Sequence, residues 1–171
     1  MYIVPEKLIS ELISLKTSYS AVEDVFSAMA KKKAYNFPVI RESIGYSNAL
    51  YGFKSGFDKE GLSLGLKAGG YWPENESMGI PNHQSTIFLF DANTGKISAI
   101  VGGNLLTAFR TAAASSISIN HLARQDSKVL GMIGAGYQSA FQMQAAARQR
   151  GFEKILGWNH HPEMISRLEQ T

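Results

Sequence analysis

The run Val129-Leu-Gly-Met-Ile-Gly134-Ala-Gly136-Tyr-Gln-Ser139 has the residue types and spacing to hold a phosphate. An apolar strand feeds a tight glycine turn, and the turn opens onto a helix. Gly134 permits the turn, and Gly136 lets the backbone approach a pyrophosphate. Free N–H groups and the positive end of the helix dipole then hold the charge. The third glycine of a GxGxxG pattern falls at Ser139, which is still small enough for a helix to pack closely on a strand. A dinucleotide's ribose is read at the end of the next strand. Here Gly157-Trp-Asn159-His160-His161 offers no carboxylate. Asn159 suits a ribose hydroxyl and His160 tolerates a 2′-phosphate, so NAD and NADP both stay open, with a lean to NADP.

Three cations stand upstream. Lys67 lies in an alternating segment, in phase with Ser63 and Gly65, where a lysine ordinarily faces solvent. Arg110 sits in the small, apolar run Thr107-Ala-Phe-Arg-Thr111-Ala-Ala-Ala, where a charge must reach solvent, a partner or a ligand. Arg41 follows Pro38-Val-Ile. Cations without nearby acids suit a carboxylate, and arginine offers it a two-pronged fork.

The elements that must position these groups follow from periodicity. Pro5 precedes a helix carrying Leu8, Ile9, Leu12, Ile13 and Leu15, and Ser20-Ala-Val-Glu23 reads as a capping box for a second helix. Strand patterns run from Asn48 to Lys54, through Leu62, Leu64 and Leu66, and over Thr86–Phe90, with a turn at Asp91–Gly95 and a partner strand over Lys96–Val101. An Ala- and Ser-rich helix spans Leu105–Ala123. Strand Lys128–Ile133, helix Gln138–Arg150 with Gly151 as its stop, strand Lys154–Trp158 and a helix from Pro162 to Glu169 then give β-α-β-α. The fold class is α/β. An α+β part over 1–103 is joined by a bridging helix, 104–127, to the first half of a Rossmann-type doubly wound parallel sheet, 128–171. Two strands alone leave that sheet an unprotected edge.

Composition narrows the function. In 171 residues there is no cysteine, so disulfides and thiolate chemistry are excluded, and the four histidines lack metal-ligand spacing. Charged residues are 18%, below the roughly 25% of an average soluble domain. The net charge of +3 comes with one basic run, Lys31–Lys33, best read as a solvated helix end. Neither a nucleic acid nor a membrane is an expected partner, and a cytoplasmic protein is the default.

Taken together, Gly65-Leu-Lys67-Ala-Gly-Gly-Tyr-Trp-Pro-Glu-Asn75, Gly79-Ile-Pro-Asn-His-Gln84, Leu89-Phe-Asp91, Thr94-Gly95, Leu106-Thr-Ala-Phe-Arg-Thr-Ala-Ala113, Leu122-Ala-Arg124 and Ile133-Gly-Ala-Gly-Tyr-Gln138 resemble the ornithine cyclodeaminase/mu-crystallin family. The resemblance implies an NAD(P)-dependent enzyme of amino or imino acids. An imine reductase, an alanine dehydrogenase and an ornithine cyclodeaminase all remain open, and so does a non-catalytic binding protein of the mu-crystallin type. It implies a homodimer whose α+β part supplies the substrate site and the dimer contact. On that likeness Arg41, Lys67 and Arg110 hold the substrate carboxylate, with a charge or proton role for Lys67. Thr111, Ala135 and Gln138 lie near the dinucleotide, as does Ser85 or Thr86. Family members are nearly twice as long, so the chain is expected to be an N-terminal half with little catalysis of its own.

Overall fold

The computed structural model describes residues 1–169. The chain divides into two compact units: residues 1–13 with 24–107, and residues 14–23 with 108–171.

The first unit is built on a seven-stranded sheet. Strand β1 (Tyr2–Val4) leads into helix α1 (Glu6–Leu12), and helix α2 (Leu15–Ala30) follows. Strands β2 (Ala34–Asn36), β3 (Ile40–Ser43), β4 (Leu50–Asp58), β5 (Ser63–Tyr71), β6 (His83–Asp91) and β7 (Ile97–Gly102) complete the sheet. Its order is β1-β7-β6-β5-β4-β2, with β3 also paired to β4. The four long strands form an antiparallel meander, and β1 adds in parallel to β7. The β6–β7 turn is made by Asp91: its carboxylate accepts the N–H groups of Asn93 and Thr94 and the Thr94 hydroxyl, and Gly95 takes φ +71°. Among the described residues Ile9 of α1 is the largest fully buried side chain, worth about 2 kcal/mol of burial.

The second unit contains most of helix α3 (Asn104–Leu122), strand β8 (Val129–Ile133), helix α4 (Tyr137–Ala147), strand β9 (Lys154–Trp158), a 3-10 turn over Pro162–Met164 and helix α5 (Ser166–Glu169). Strands β8 and β9 are parallel, as a β-α-β crossover requires. Small residues let α3 and α4 approach: Ala112, Ala113, Ser116, Ala145 and Ala146 are buried, and the Ser116 hydroxyl donates to the Ala145 carbonyl at 3.1 Å. The two strands leave Ile133 at 85% and Trp158 at 60% exposure.

Local differences from the expected elements have identifiable causes. The box that opens α2 is Ser14 with Thr17: the Thr17 hydroxyl accepts the Ser14 N–H and the Ser14 hydroxyl accepts the Thr17 N–H. The helix therefore starts at Leu15, ahead of Ser20. Helix α4 ends at Ala147, because Gln149 turns back onto the Ala146 carbonyl. That turn aims Arg150 at the end of α3. Its guanidinium donates to the carbonyls of Ile119, Asn120, Ala123 and Arg124 at 2.9–3.1 Å. A cation thus meets the negative end of the α3 dipole. The segment after Pro162 divides into a 3-10 turn and α5.

Candidate functional site

Sheet register determines which side chains share a face. Paired residues in antiparallel strands point to the same side, and alternate residues along each strand do too. One transverse row reads Arg41–Gly52–Gly69–Ser85 across β3, β4, β5 and β6. The next row on that face reads Lys54–Lys67–Ile87. Arg41 and Lys67 therefore lie on one face, in rows about 6.7 Å apart by strand rise. The positions between Arg41 and Ser85 are glycines. A Cβ at Gly69 would stand 2.3 Å from the Gln84 carbonyl oxygen and 2.7 Å from the Ser85 Cβ, so no larger residue fits. The cations thus border a floor of bare backbone.

Lys67 is half-buried, and its ammonium donates to the Thr107 hydroxyl at 2.9 Å. Thr107 in turn donates to the Gly103 carbonyl at 2.7 Å. The first turn of α3 is itself held to the sheet. The Asn104 amide oxygen accepts the Ser85 N–H at 2.8 Å, its nitrogen donates to Gln84, and Gly103 N–H donates to the Ser85 carbonyl. The Glu6 carboxylate accepts the N–H groups of Asn104 and Leu105 at 3.1 and 2.7 Å, capping the helix. Ser85 is thereby placed on the face with Arg41, whereas Thr86 points to the opposite side. Glu6, Gln84 and Asn104 are positioning residues that no local pattern signalled, because their bonds join segments 19 to 99 residues apart.

Arg110 and Thr111 lie on the part of α3 that belongs to the second unit. The Arg110 side chain reaches solvent, yet enough protein surrounds its head for desolvation to lower its pKa below the ordinary value. It remains a cation at neutral pH.

The glycine loop matches its expected geometry. Gly134 takes φ +98°, a conformation that side chains resist, and its N–H bonds to the Trp158 carbonyl at 2.8 Å, tying the turn to the end of β9. Ala135 is buried. Gly136 caps α4 with extended backbone, and no side chain caps this helix start. A Cβ built at Gly134 or Gly136 would meet nothing within 4 Å, so the surface over the loop is open. Ser139, at the third glycine position, is buried and donates to the Gly136 carbonyl at 2.5 Å. The Gln138 side-chain oxygen is buried without a partner. An open glycine cradle, an uncapped helix start and an orphaned polar atom together fit a bound dinucleotide. Asn159 follows β9; its side-chain oxygen accepts the His161 N–H at 2.9 Å, which fixes the amide beside the strand end. Among the described residues no cluster of His, Asp and Glu suits a metal, and no helix is long and apolar enough to cross a membrane.

A mixed sheet carrying a basic, glycine-lined face, together with a strand–glycine turn–helix–strand unit, defines an α/β protein of Rossmann type. Residues 6–171 match the model of the ornithine cyclodeaminase/mu-crystallin family, and the chain belongs to that family. It is 63% identical over 171 residues to the iminosuccinate reductase of Paracoccus denitrificans, covering 53% of that protein. The crystal structure of the iminosuccinate reductase of that organism in complex with NAD+ superposes with a TM-score of 0.93 over 99% of this chain and 53% of the other, at 62% identity. The Thermococcus litoralis Δ1-pyrroline-2-carboxylate reductase in complex with NADH and L-proline gives 0.93 at 30% identity, over 99% of this chain and 53% of the other. An archaeal alanine dehydrogenase dimer with bound NAD gives 0.92 at 25% identity, over 99% and 52%. The chain thus spans about half the length of the relatives it matches.

Proposed function

We propose that the protein is an NAD(P)-dependent oxidoreductase of amino or imino acids that reduces the C=N bond of an α-imino acid. The observation that carries this reading is the placing of Arg41 and Lys67 on one glycine-lined sheet face, with Lys67 tethered to Thr107 of α3. The substrate carboxylate is assigned to Arg41, Lys67 and Arg110, the last from the family resemblance. Clamping that carboxylate positions the adjacent carbon for reaction. When bound, the reduced dinucleotide supplies a hydride for that carbon. The substrate nitrogen then keeps the former double-bond electron pair and takes a proton. Lys67 acts through its charge, or as the proton's source, on the ionisation of that nitrogen.

The dinucleotide is assigned to Gly134, Ala135, Gly136, Gln138 and Asn159, with Thr111 from α3. The relatives named above were solved with NAD+, NADH and NAD, which supports NAD over the lean to NADP drawn from His160. We assign residues 1–103 to substrate and dimer contact and 128–171 to the nucleotide. A homodimer is supported by the archaeal relative and by the sheet face opposite the cations, where Tyr35, Ile40, Tyr51 and Phe53 are exposed.

The test is Arg110→Ala in the purified protein. Losing two charge-assisted bonds of roughly 1.5 kcal/mol each lowers turnover about 100-fold. NADH binding, followed by fluorescence titration, changes less than about twofold on this reading, because Arg110 is assigned to substrate alone. Turnover equal to the unmodified protein's would overturn the assignment.

A further inference from the structure

Tyr71 closes β5 on the same face as Lys67. Its row reads Ser43–Leu50–Tyr71–His83 across β3, β4, β5 and β6, next to the Arg41–Gly52–Gly69–Ser85 row. On β5, Gly69 has Lys67 on one side and Tyr71 on the other, each two residues away, or about 6.7 Å by strand rise. Arg41 stands two strands over in the Gly69 row, about 10 Å across the sheet. Three long polar side chains thus border the bare patch made by Gly52 and Gly69. The first turn of α3 borders the fourth side, where Asn104 holds Ser85.

Asn82 fixes the Tyr71 hydroxyl. The Asn82 side-chain oxygen accepts the Glu76 N–H at 2.8 Å, so its nitrogen is the end that meets Tyr71, donating to the hydroxyl oxygen at 3.3 Å. Asn82 is itself held in place. Its carbonyl accepts the Trp72 N–H, and the Asn75 and Gln84 amides both donate to the Pro81 carbonyl. With its oxygen accepting from Asn82, the hydroxyl keeps its proton to donate, and among the described residues nothing accepts that proton. Tyr71 is 44% exposed, which leaves it open to a ligand on the glycine patch.

We infer that the Tyr71 hydroxyl donates a hydrogen bond to the substrate beyond its α-carbon, and that Tyr71 is a specificity-determining residue of the reaction, positioned by Asn82. The inference rests on the reading above, in which Arg41, Lys67 and Arg110 hold the substrate carboxylate. A carboxylate has about four acceptor sites. On that reading a two-pronged Arg110 with Arg41 and Lys67 fills them. The substrate nitrogen gains a proton in the reaction and ends as a donor, so it gives Tyr71 no lasting acceptor. What remains is an oxygen on the side chain. A substrate whose side chain is apolar leaves the Tyr71 proton unmatched, and a site built to donate a hydrogen bond discriminates against such a substrate.

The test uses the protein purified from its native source, with each substitution made in the chromosomal gene. Initial rates of NADH oxidation are compared for two imines. One forms from oxaloacetate and ammonium and carries a side-chain carboxylate; the other forms from pyruvate and ammonium, and its side chain is a methyl group. Should pyruvate support no turnover, its inhibition constant against oxaloacetate gives the same comparison. Tyr71→Phe keeps the ring and removes the hydroxyl alone. It lowers kcat/KM for the oxaloacetate imine about 10-fold, through KM, the least expected from losing a hydrogen bond to a charged group. The pyruvate value stays within about twofold, as does NADH affinity, which also shows that the variant is folded. Asn82→Ala releases the hydroxyl and lowers the same KM-based value by less, and the double variant loses no more than Tyr71→Phe alone. Equal losses on both imines in Tyr71→Phe, no loss on either, or a preference of the unmodified protein for the pyruvate imine overturns the inference and leaves the reading above standing. No oxidation with either imine by the unmodified protein, with NADH bound, overturns both.

Discussion

At the scale of single residues, the chemistry depends on which side chain faces which. The alternation around Lys67 is visible in the sequence and places the lysine in phase with Ser63 and Gly65. What it does not contain is the identity of the residue across the ladder. Lys54 closes the segment that reads as a strand, yet β4 continues to Asp58, and only the register sets Lys54 against Lys67. The bond from Lys67 to Thr107 joins residues 40 apart and leaves no local trace. Asp91 is different, because its turn is local and legible. The Thr94 hydroxyl, then the N–H groups of Thr94 and Asn93, hold its carboxyl below the ordinary carboxylate range. A folded-state pKa below the unfolded one adds stability above the unfolded value, and this is lost as pH falls through the folded value. Asp91→Asn therefore lowers the urea midpoint at neutral pH. The gap to the unmodified protein narrows as the solution is taken below the carboxylate range, and a gap independent of pH would refute this origin.

At the scale of elements, long periodic segments are legible and short edge strands are not. The helix α3, the strands β6 to β9 and the glycine turn follow from apolar periodicity and turn residues. Strands β1, β2 and β3 have three or four residues each, too few for a period, and exist because another strand offers hydrogen bonds: β7 to β1, and β4 to β2 and β3. Gly136→Val points its side chain into open space, so the melting temperature stays within about 2 °C while dinucleotide binding weakens at least about 30-fold. Retained binding would remove the loop from the site. Arg150 is 8% exposed and donates to four carbonyls at the end of α3. Arg150→Met strands those carbonyls and costs about 3 kcal/mol, measured by urea unfolding. A loss below about 1 kcal/mol would mean that water caps them equally well.

At the scale of the whole molecule, the sequence shows the two kinds of architecture and the motif that opens the second. It does not show the strand order β1-β7-β6-β5-β4-β2, since parallel addition of β1 to β7 joins residues almost a hundred apart. The register within it places Arg41, Lys54 and Lys67 on one face and the exposed Tyr35, Tyr51 and Phe53 on the other. Phe53→Glu, on the aromatic face, is expected to shift the sedimentation coefficient from dimer to monomer; an unchanged dimer would place the interface elsewhere. The central claim is that the protein links a nicotinamide dinucleotide to an imino acid. It is tested by the initial rate of NADH oxidation by the protein purified from its native source when a 2-oxo acid and ammonium supply the imine. Sustained oxidation that requires both the oxo acid and ammonium, and that saturates in each, is expected. No oxidation above the protein-free rate, with NADH bound, would contradict it.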